Sequence, residues 1–344
     1  MKKLFAIVLM LGMLLSLTDC GTINEAEVAV PWSGENNVAL VPNSLINAMD
    51  RAMYIENIAY SHYAAAGDQA KQTKQAEDAR NAGCAALAVE LVDVTAAPAM
   101  IELAKAKNVP VVFFNCAVTE DVIAAYDKCA AVVTDEATLP TTYGELIGEY
   151  IYASKTIDRN GDGVVSYCAV GEVAELVTAA EKAMLAKAES VEEKEEATGA
   201  VKGLTAVEGA DMASVLTSNN DENGNMIELV ISSSDEDALV VLEALQSIDY
   251  NTNRLKTHCI PVFTVGADAD ASAFTDTSAL TEEERAQLIY NVMNIVDAGQ
   301  LTGIVLEDYD GIAVAAAAAI AGYINGEPVE KTLQAIPYTI YSAE

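Results

Sequence analysis

The run Asp158-Arg-Asn-Gly-Asp-Gly-Val-Val-Ser166 places side-chain oxygens at 158, 160, 162 and 166, with two glycines among them. A calcium loop is spaced this way. It offers oxygens from positions 1, 3, 5, 7 and 9, turns sharply at a Gly in position 6, and closes its shell with a bidentate Glu at position 12. Asp158, Asn160, Asp162, the Val164 carbonyl and Ser166 fall on the first five of these positions, and Gly163 on the turn. The twelfth position is Ala169, inside an apolar run. The loop therefore needs a carboxylate from elsewhere in the chain. The competing reading is a polar turn rich in Asp, Asn and Gly.

Other chemistry is sparse. No GxGxxG, GxxxxGK[ST] or GxSxG opens a helix, so the usual nucleotide and nucleophile motifs are absent from the sequence. His62 and His258 lie far apart and have no ligand-like neighbours, which points to structural or surface roles. After Cys20, five cysteines remain, and none forms a CxxC pair. Cys84, Cys168 and Cys259 sit in or beside apolar runs and read as small buried residues. The formal charge of −33 argues against a nucleic-acid partner, which requires clustered Lys and Arg. No nucleophile–His pair is apparent, and an enzyme is not expected.

The elements that must position the loop alternate. Helical patterns cover Gln69–Ala82, ended by Gly83, then Thr95–Lys107, Thr142–Ala153, Glu172–Ala188, Asp211–Thr217, Glu236–Gln246, Thr281–Ala298 and Gly311–Asn325. Between them lie strand-like runs at Ala85–Glu90, Pro110–Phe114, Val164–Val170, Ile227–Ser232, Pro261–Val265 and Gly303–Leu306. Glu189–Gly203 is charged and reads as a loop. Gly311–Asn325 is Ala-rich and nearly apolar, and a well-buried helix is expected. Strands alternating with helices mean βαβ units and parallel sheets, an α/β class. At 344 residues there is room for two domains. In such sheets ligands bind at the carboxyl ends of the strands.

The N-terminus reads as an export signal: Lys2 and Lys3, an apolar run from Leu4 to Leu17, then Leu17-Thr-Asp-Cys20. This exit resembles a bacterial lipobox, with Cys20 as the lipidated residue. Asp19 departs from the usual small residue, and the alternative is a plain export signal. Residues 1–20 are then a signal peptide and 21–27 a tether, and the only membrane contact expected is the lipid anchor.

Taken together, several stretches resemble the galactose/glucose-binding proteins, the exported calcium-binding components of sugar ABC transporters. They are Gln69–Gln75, Leu91-Val-Asp93, Asn108–Asn115, Tyr126-Asp-Lys128, Thr134-Asp135, the 158–166 loop and Gly171-Glu172, in the family's order and near-spacing. Residues 28–64 and 185–225 match poorly. The resemblance implies a type I periplasmic binding protein, with two lobes that are each a parallel sheet flanked by helices, and a hinge of three crossings. The lobes would be 28–133 with 308–333 and 134–307 with 334–344. The crossings would fall near Val133-Thr134, Leu306–Asp308 and Gln334–Tyr338. The missing calcium ligand would be Glu228, in Met226-Ile-Glu-Leu-Val-Ile231, and the calcium would be structural.

The resemblance also implies a cleft. Asn115 and Asp235 match family residues. The family's cleft Asn, His and hinge-side Asn fall on Ser234, near Glu175 and on Glu307; its Asp falls on Gly266, and its Arg near Glu181. In the first lobe Trp32 and Asn36 stand loosely for the strand-end loop. A fork of donors thereby becomes a carboxylate, which reverses what the position can bond. The expected ligand is a monosaccharide-like solute other than galactose or glucose, such as a polyol, an amino sugar or another cation. The other reading of Glu181 and Glu307 is a solvated rim. The expected partner is an ABC permease, with a chemoreceptor as a further possibility, and a monomer is expected. The alternative function is a non-transporting, calcium-stabilised surface receptor or chemoreceptor partner with altered or lost sugar binding.

Overall fold

The computed structural model describes residues 28–32, 45–154, 157–192, 204–206, 227–252, 259–266, 292–327, 329 and 332–342. Twelve strands among them form two six-stranded sheets. The first contains β1 (Val28–Trp32), β2 (Tyr60–Ala64), β3 (Leu87–Val89), β4 (Val111–Phe114), β5 (Cys129–Thr134) and β11 (Leu333–Ile336). The second contains β6 (Val165–Val170), β7 (Leu204–Ala206), β8 (Leu229–Ser232), β9 (Val262–Val265), β10 (Gly303–Leu306) and β12 (Thr339–Ser342). Their orders are β11-β5-β4-β3-β1-β2 and β12-β10-β9-β8-β6-β7, the same winding twice. Every pairing is parallel except that of β12 with β10.

Helices cover both faces of each sheet. On the first sheet, α1 (Leu45–Ile55) and α9 (Tyr309–Asn325) share a core with Val112 and Phe114, while α2 (Gln69–Ala82) and α3 (Ala97–Lys105) share one with Val111 and Phe113. A short α4 (Glu120–Ile123) leads into β5. On the second sheet, α5 (Leu139–Ala153) and α6 (Ala174–Glu192) pack with Leu229 and Ile231, and α7 (Asp235–Ser247) and α8 (Val292–Asp297) with Val230. Alternate residues of one strand thus enter two cores. This is why the strands read as unbroken apolar runs in the sequence.

Local signals fix several boundaries. Asp68 caps α2 by accepting from Lys71 N at 3.0 Å, and Gly83 ends it at φ 91°. A left-handed residue at that point favours glycine. Other expectations need correction. α6 continues through Glu192, so the expected loop begins later than Glu189. α9 is buried on one side only: Ile312, Ala316 and Ile320 are fully buried, and Val314 is 55% exposed. Of the five described thiols, all free, Cys84 and Cys259 are half-buried rather than buried. The expected helix 211–217 lies outside the described residues, as do residues 281–291 of the helix expected over 281–298.

The chain passes between the sheets three times: from β5 to α5, from β10 to α9, and from β11 to β12. β11 pairs with β5 over Leu333↔Ala131 to Ile336↔Thr134. Gln334–Ile336 therefore belong to the first sheet, as does Thr134. The lobe boundaries expected at 133/134 and 333/334 move to just after Thr134 and just after Ile336.

One helix pair depends on the absence of side chains. A Cβ on Gly144 of α5 would lie 2.6 Å from the backbone carbonyl of Ala179 in α6, and one on Gly148 would lie 2.9 Å from Met184 N. Gly144→Ala gains about 1 kcal/mol of helix propensity. The clash is with backbone that cannot rotate away, and overpacking of this kind costs about 1–3 kcal/mol. The net expectation is a loss of up to about 2 kcal/mol, read as a lower urea midpoint. An unchanged midpoint would show that α5 and α6 can separate at no cost.

Candidate functional site

In both sheets the strand order reverses beside the first strand of each set, at β1/β3 and β6/β8. Crevices at such switch points open at the carboxyl ends of strands. At the end of β3 stands Glu90, a residue the sequence reading passed over. Its carbonyl accepts from Gln72 Nε2 at 2.6 Å, and Gln72 Oε1 accepts from Val92 N at 3.2 Å. Gln72 is fully buried, so α2 holds the turn that carries Glu90. At the end of β4, Asn115 has φ 50° and donates from Nδ2 to Glu90 Oε1 at 2.8 Å. The structure thus brings Asn115 to the crevice and engages part of its amide with Glu90.

In the second lobe, Ser234 caps α7, accepting from Asp237 N at 3.2 Å. Asp235 is buried, and its Oδ1 accepts from Glu236 N at 3.0 Å. It lies against Gly266, whose φ is 88°; a Cβ there would come within 3.3 Å of the Asp235 carboxyl carbon. Ser233 Oγ accepts from Glu172 N at 3.1 Å and joins the ends of β8 and β6. Glu175 lies exposed in the first turn of α6. Glu307 is half-buried after β10, followed by Asp308, which caps α9 through Gly311 N at 2.8 Å. Glu181 accepts from Leu204 N at 3.5 Å, at the amino end of β7. That contact places it on the far side of the sheet from the crevice, which corrects its expected place among the cleft carboxylates. Trp32 ends β1, opposite Ala64. Its side chain, Asn36 and Cys20 lie outside the described residues.

The 158–166 loop is wound by its own side chains. Asp158 Oδ1 and Oδ2 accept from Gly161 N (2.7 Å) and Gly163 N (2.9 Å). Asn160 Oδ1 accepts from Asp162 N, and Asp162 Oδ1 from Val164 N. Glu228, fully buried just before β8, reaches this loop: its Oε1 accepts from Arg159 N at 2.5 Å and its Oε2 from Ser166 N at 2.8 Å. Burial, and then the charge of Asp158, push the Glu228 carboxyl above the usual carboxylate range, against the pull of those backbone donors. Like charges drawn together in a buried place are what a cation would relieve. The donors are all hard oxygens, so Asp158, Asn160, Asp162, the Val164 carbonyl, Ser166 and Glu228 fit a calcium ion in kind. Among the described residues no three His, Cys, Asp or Glu side chains converge tightly enough to form a metal cage by themselves.

Comparison with known proteins gives these features a place. The model of the periplasmic binding protein domain family matches residues 41–328. The chain belongs to the periplasmic binding protein domain family. A D-galactose/methyl-galactoside binding periplasmic protein of Haemophilus influenzae is 36% identical over 99 residues, which are 29% of this chain and 30% of that protein. The chain thus matches under a third of this relative's length. An ABC transporter periplasmic solute-binding protein from Actinobacillus succinogenes, solved with bound D-allose, superposes with a TM-score of 0.52 at 11% identity, covering 92% of this chain and 97% of that one. The arabinose-transporter binding protein of a Shewanella species gives 0.50 at 15% identity, covering 92% and 91%. At these identities the two structures attest the fold alone.

Asn115, Asp235, Ser234 and Glu307, named from the sequence, all stand just beyond strand ends. Glu90, not named from the sequence, stands beside Asn115; its only signal is a charge closing the apolar run Ala85–Glu90. His62 has the structural place expected of it: its Nε2 lies 2.6 Å from Asp50 Oδ1, tying β2 to α1.

Glu228→Ala would leave the buried Ser166 N and the Arg159 N without acceptors. Each orphaned donor costs about 1–3 kcal/mol, for a total of about 2–6 kcal/mol. The check is the unfolding midpoint in chelator, where no metal contributes. A change under about 0.5 kcal/mol would mean that water replaces both bonds.

Proposed function

We propose that this protein is an extracytoplasmic solute-binding lipoprotein of a sugar ABC transporter. It takes a monosaccharide-like solute between its lobes and delivers it to the membrane permease. The carrying observation is the family match over residues 41–328, laid on two sheets whose polar residues gather at strand ends. The galactose-binding relative supports a sugar as solute. Cys20 is the lipidated residue and the anchor. The 158–166 loop with Glu228 holds a structural calcium ion, which ties the loop to the start of β8.

The solute contacts are Asn115, Ser234, Asp235, Glu175 and Glu307, with Trp32 and Asn36 from the first lobe. Their chemistry departs from a galactose site. Carboxylates stand where a neutral sugar is usually met by mixed donors and acceptors. Glu90, held by Asn115, adds another acceptor at the end of β3. Acceptors favour a solute rich in donors, namely a polyol or an amino sugar. A second reading, a calcium-stabilised surface receptor with altered sugar binding, is favoured by two engagements: the Ser234 hydroxyl caps α7, and the Asn115 amide bonds Glu90.

A thermal-shift screen of the calcium-loaded protein against hexoses, pentoses, polyols and amino sugars separates these readings. A solute at about 100 times its dissociation constant adds about 2.7 kcal/mol of stability. One sugar class is expected to raise the midpoint, and D-galactose is expected not to lead it. If no sugar class raises the midpoint, the transport reading fails. Chelation is expected to lower the midpoint, and restored calcium to recover it. A midpoint indifferent to chelator removes the calcium site from the proposal.

A further inference from the structure

The three crossings between the lobes are not equivalent. The first, after Thr134, and the third, after Ile336, leave the sheet as neighbouring strands. Beyond the sheet they stay joined. Asp135 N donates to the Ile336 carbonyl at 2.7 Å. Tyr338 N donates to Thr138 Oγ1 at 3.1 Å, and that hydroxyl donates to the Asp135 carbonyl at 2.7 Å. The Tyr338 hydroxyl donates to Glu136 Oε2 at 2.9 Å. A single bond between two crossing segments is a pivot. Bonds at 135, 136 and 138 resist twisting of one segment against the other.

The second crossing meets this pair through packing and charge. A Cβ on Gly311, just past Asp308, would lie 3.0 Å from Ile336 Cγ2. Burial, together with the carboxylates of Glu136 and Glu307, pushes the Tyr338 phenol well above its ordinary pKa. The hydroxyl therefore remains a donor at any working pH. It also feels carboxylates carried by two different crossings, Glu136 on the first and Glu307 on the second.

We propose that Tyr338 is a positioning residue for solute capture: its amide and phenol bind the third crossing to the first as one strap, so that the lobes turn about the remaining crossing at Leu306–Asp308. This rests on the reading of the protein as a two-lobed receptor that closes by hinge bending. The phenol touches no solute in this scheme. It acts by setting the angle at which the lobes rest.

The test uses the full chain without solute, so it does not depend on finding a sugar. Tyr338→Phe is compared with wild type by amide exchange over 134–139 and 336–341 and by small-angle scattering. Loss of one such bond corresponds to about fivefold faster exchange in these two segments. The radius of gyration is expected to change as the resting angle shifts. Adding Glu136→Gln to this variant removes one of the two carboxylates that act on residue 338; it is expected to return the scattering profile towards wild type while exchange stays fast. Unchanged exchange and scattering would overturn the proposal. So would exchange that rises equally across both sheets, since that is general destabilisation. Failure of the sugar screen would sink the proposed function and leave these readouts to decide the strap by themselves.

Discussion

Strands buried on both faces leave their side chains only one way to meet a solute, at the strand ends. Phe113 and Phe114 enter opposite cores, as do Val230 and Ile231, so neither sheet face is open. Polar chemistry is thereby pushed to residues such as Glu90, Asn115, Asp235 and Glu307. The same constraint sets their support. A residue beyond a strand end has lost its ladder and needs other partners for its backbone. Gln72 serves the turn after Glu90, and Ser233 joins the ends of β6 and β8. The caps of α7 and α9 do the same for the turns that follow β8 and β10.

Glu228 is the exception that shows the rule's cost. It is a fully buried carboxylate at the amino side of β8, away from the crevice. Burying an ionised carboxylate without partners costs more than a fold of this size can lose. Two backbone donors offset part of that, and the Asp158 charge works against them. The arrangement gains from a cation in a way that a neutral residue at 228 would not.

What could be read from the sequence followed from how locally each feature is specified. α2 was legible residue for residue because Asp68 and Gly83 mark both its ends. β10 was legible because Gly303–Leu306 is a clean apolar run. β2 (Tyr-Ser-His-Tyr-Ala) and the edge strands β11 and β12 were missed because their side chains are half-buried or exposed and carry no unbroken apolar signal. β1 and α1 fell in the stretch where the family resemblance is poor. The site divides in the same way. The loop residues declare themselves by spacing, and Glu228 was reachable only through the family resemblance. The Glu90–Asn115 and Glu136–Tyr338 pairs join residues that no local pattern connects, the second across 202 positions.

The substitutions at the crevice make more sense in pairs than singly. Gly266 stands where the family resemblance implies an Asp, and Asp235 fills the space beside it. A side chain at 266 would crowd that carboxyl, and an acidic one would also repel it. Glycine there allows Asp235 to lie buried against the end of β9, with its helix supplying a donor through Glu236 N. On the opposite lobe, Asn115 keeps the family's residue type but turns its amide to Glu90. In both places one carboxylate is fixed by a neutral neighbour: a missing side chain in one case, an amide in the other. Neither arrangement offers a fork of donors to a hydroxyl acceptor. Under the proposed function, these two arrangements are the ones that set a donor-rich solute apart from galactose.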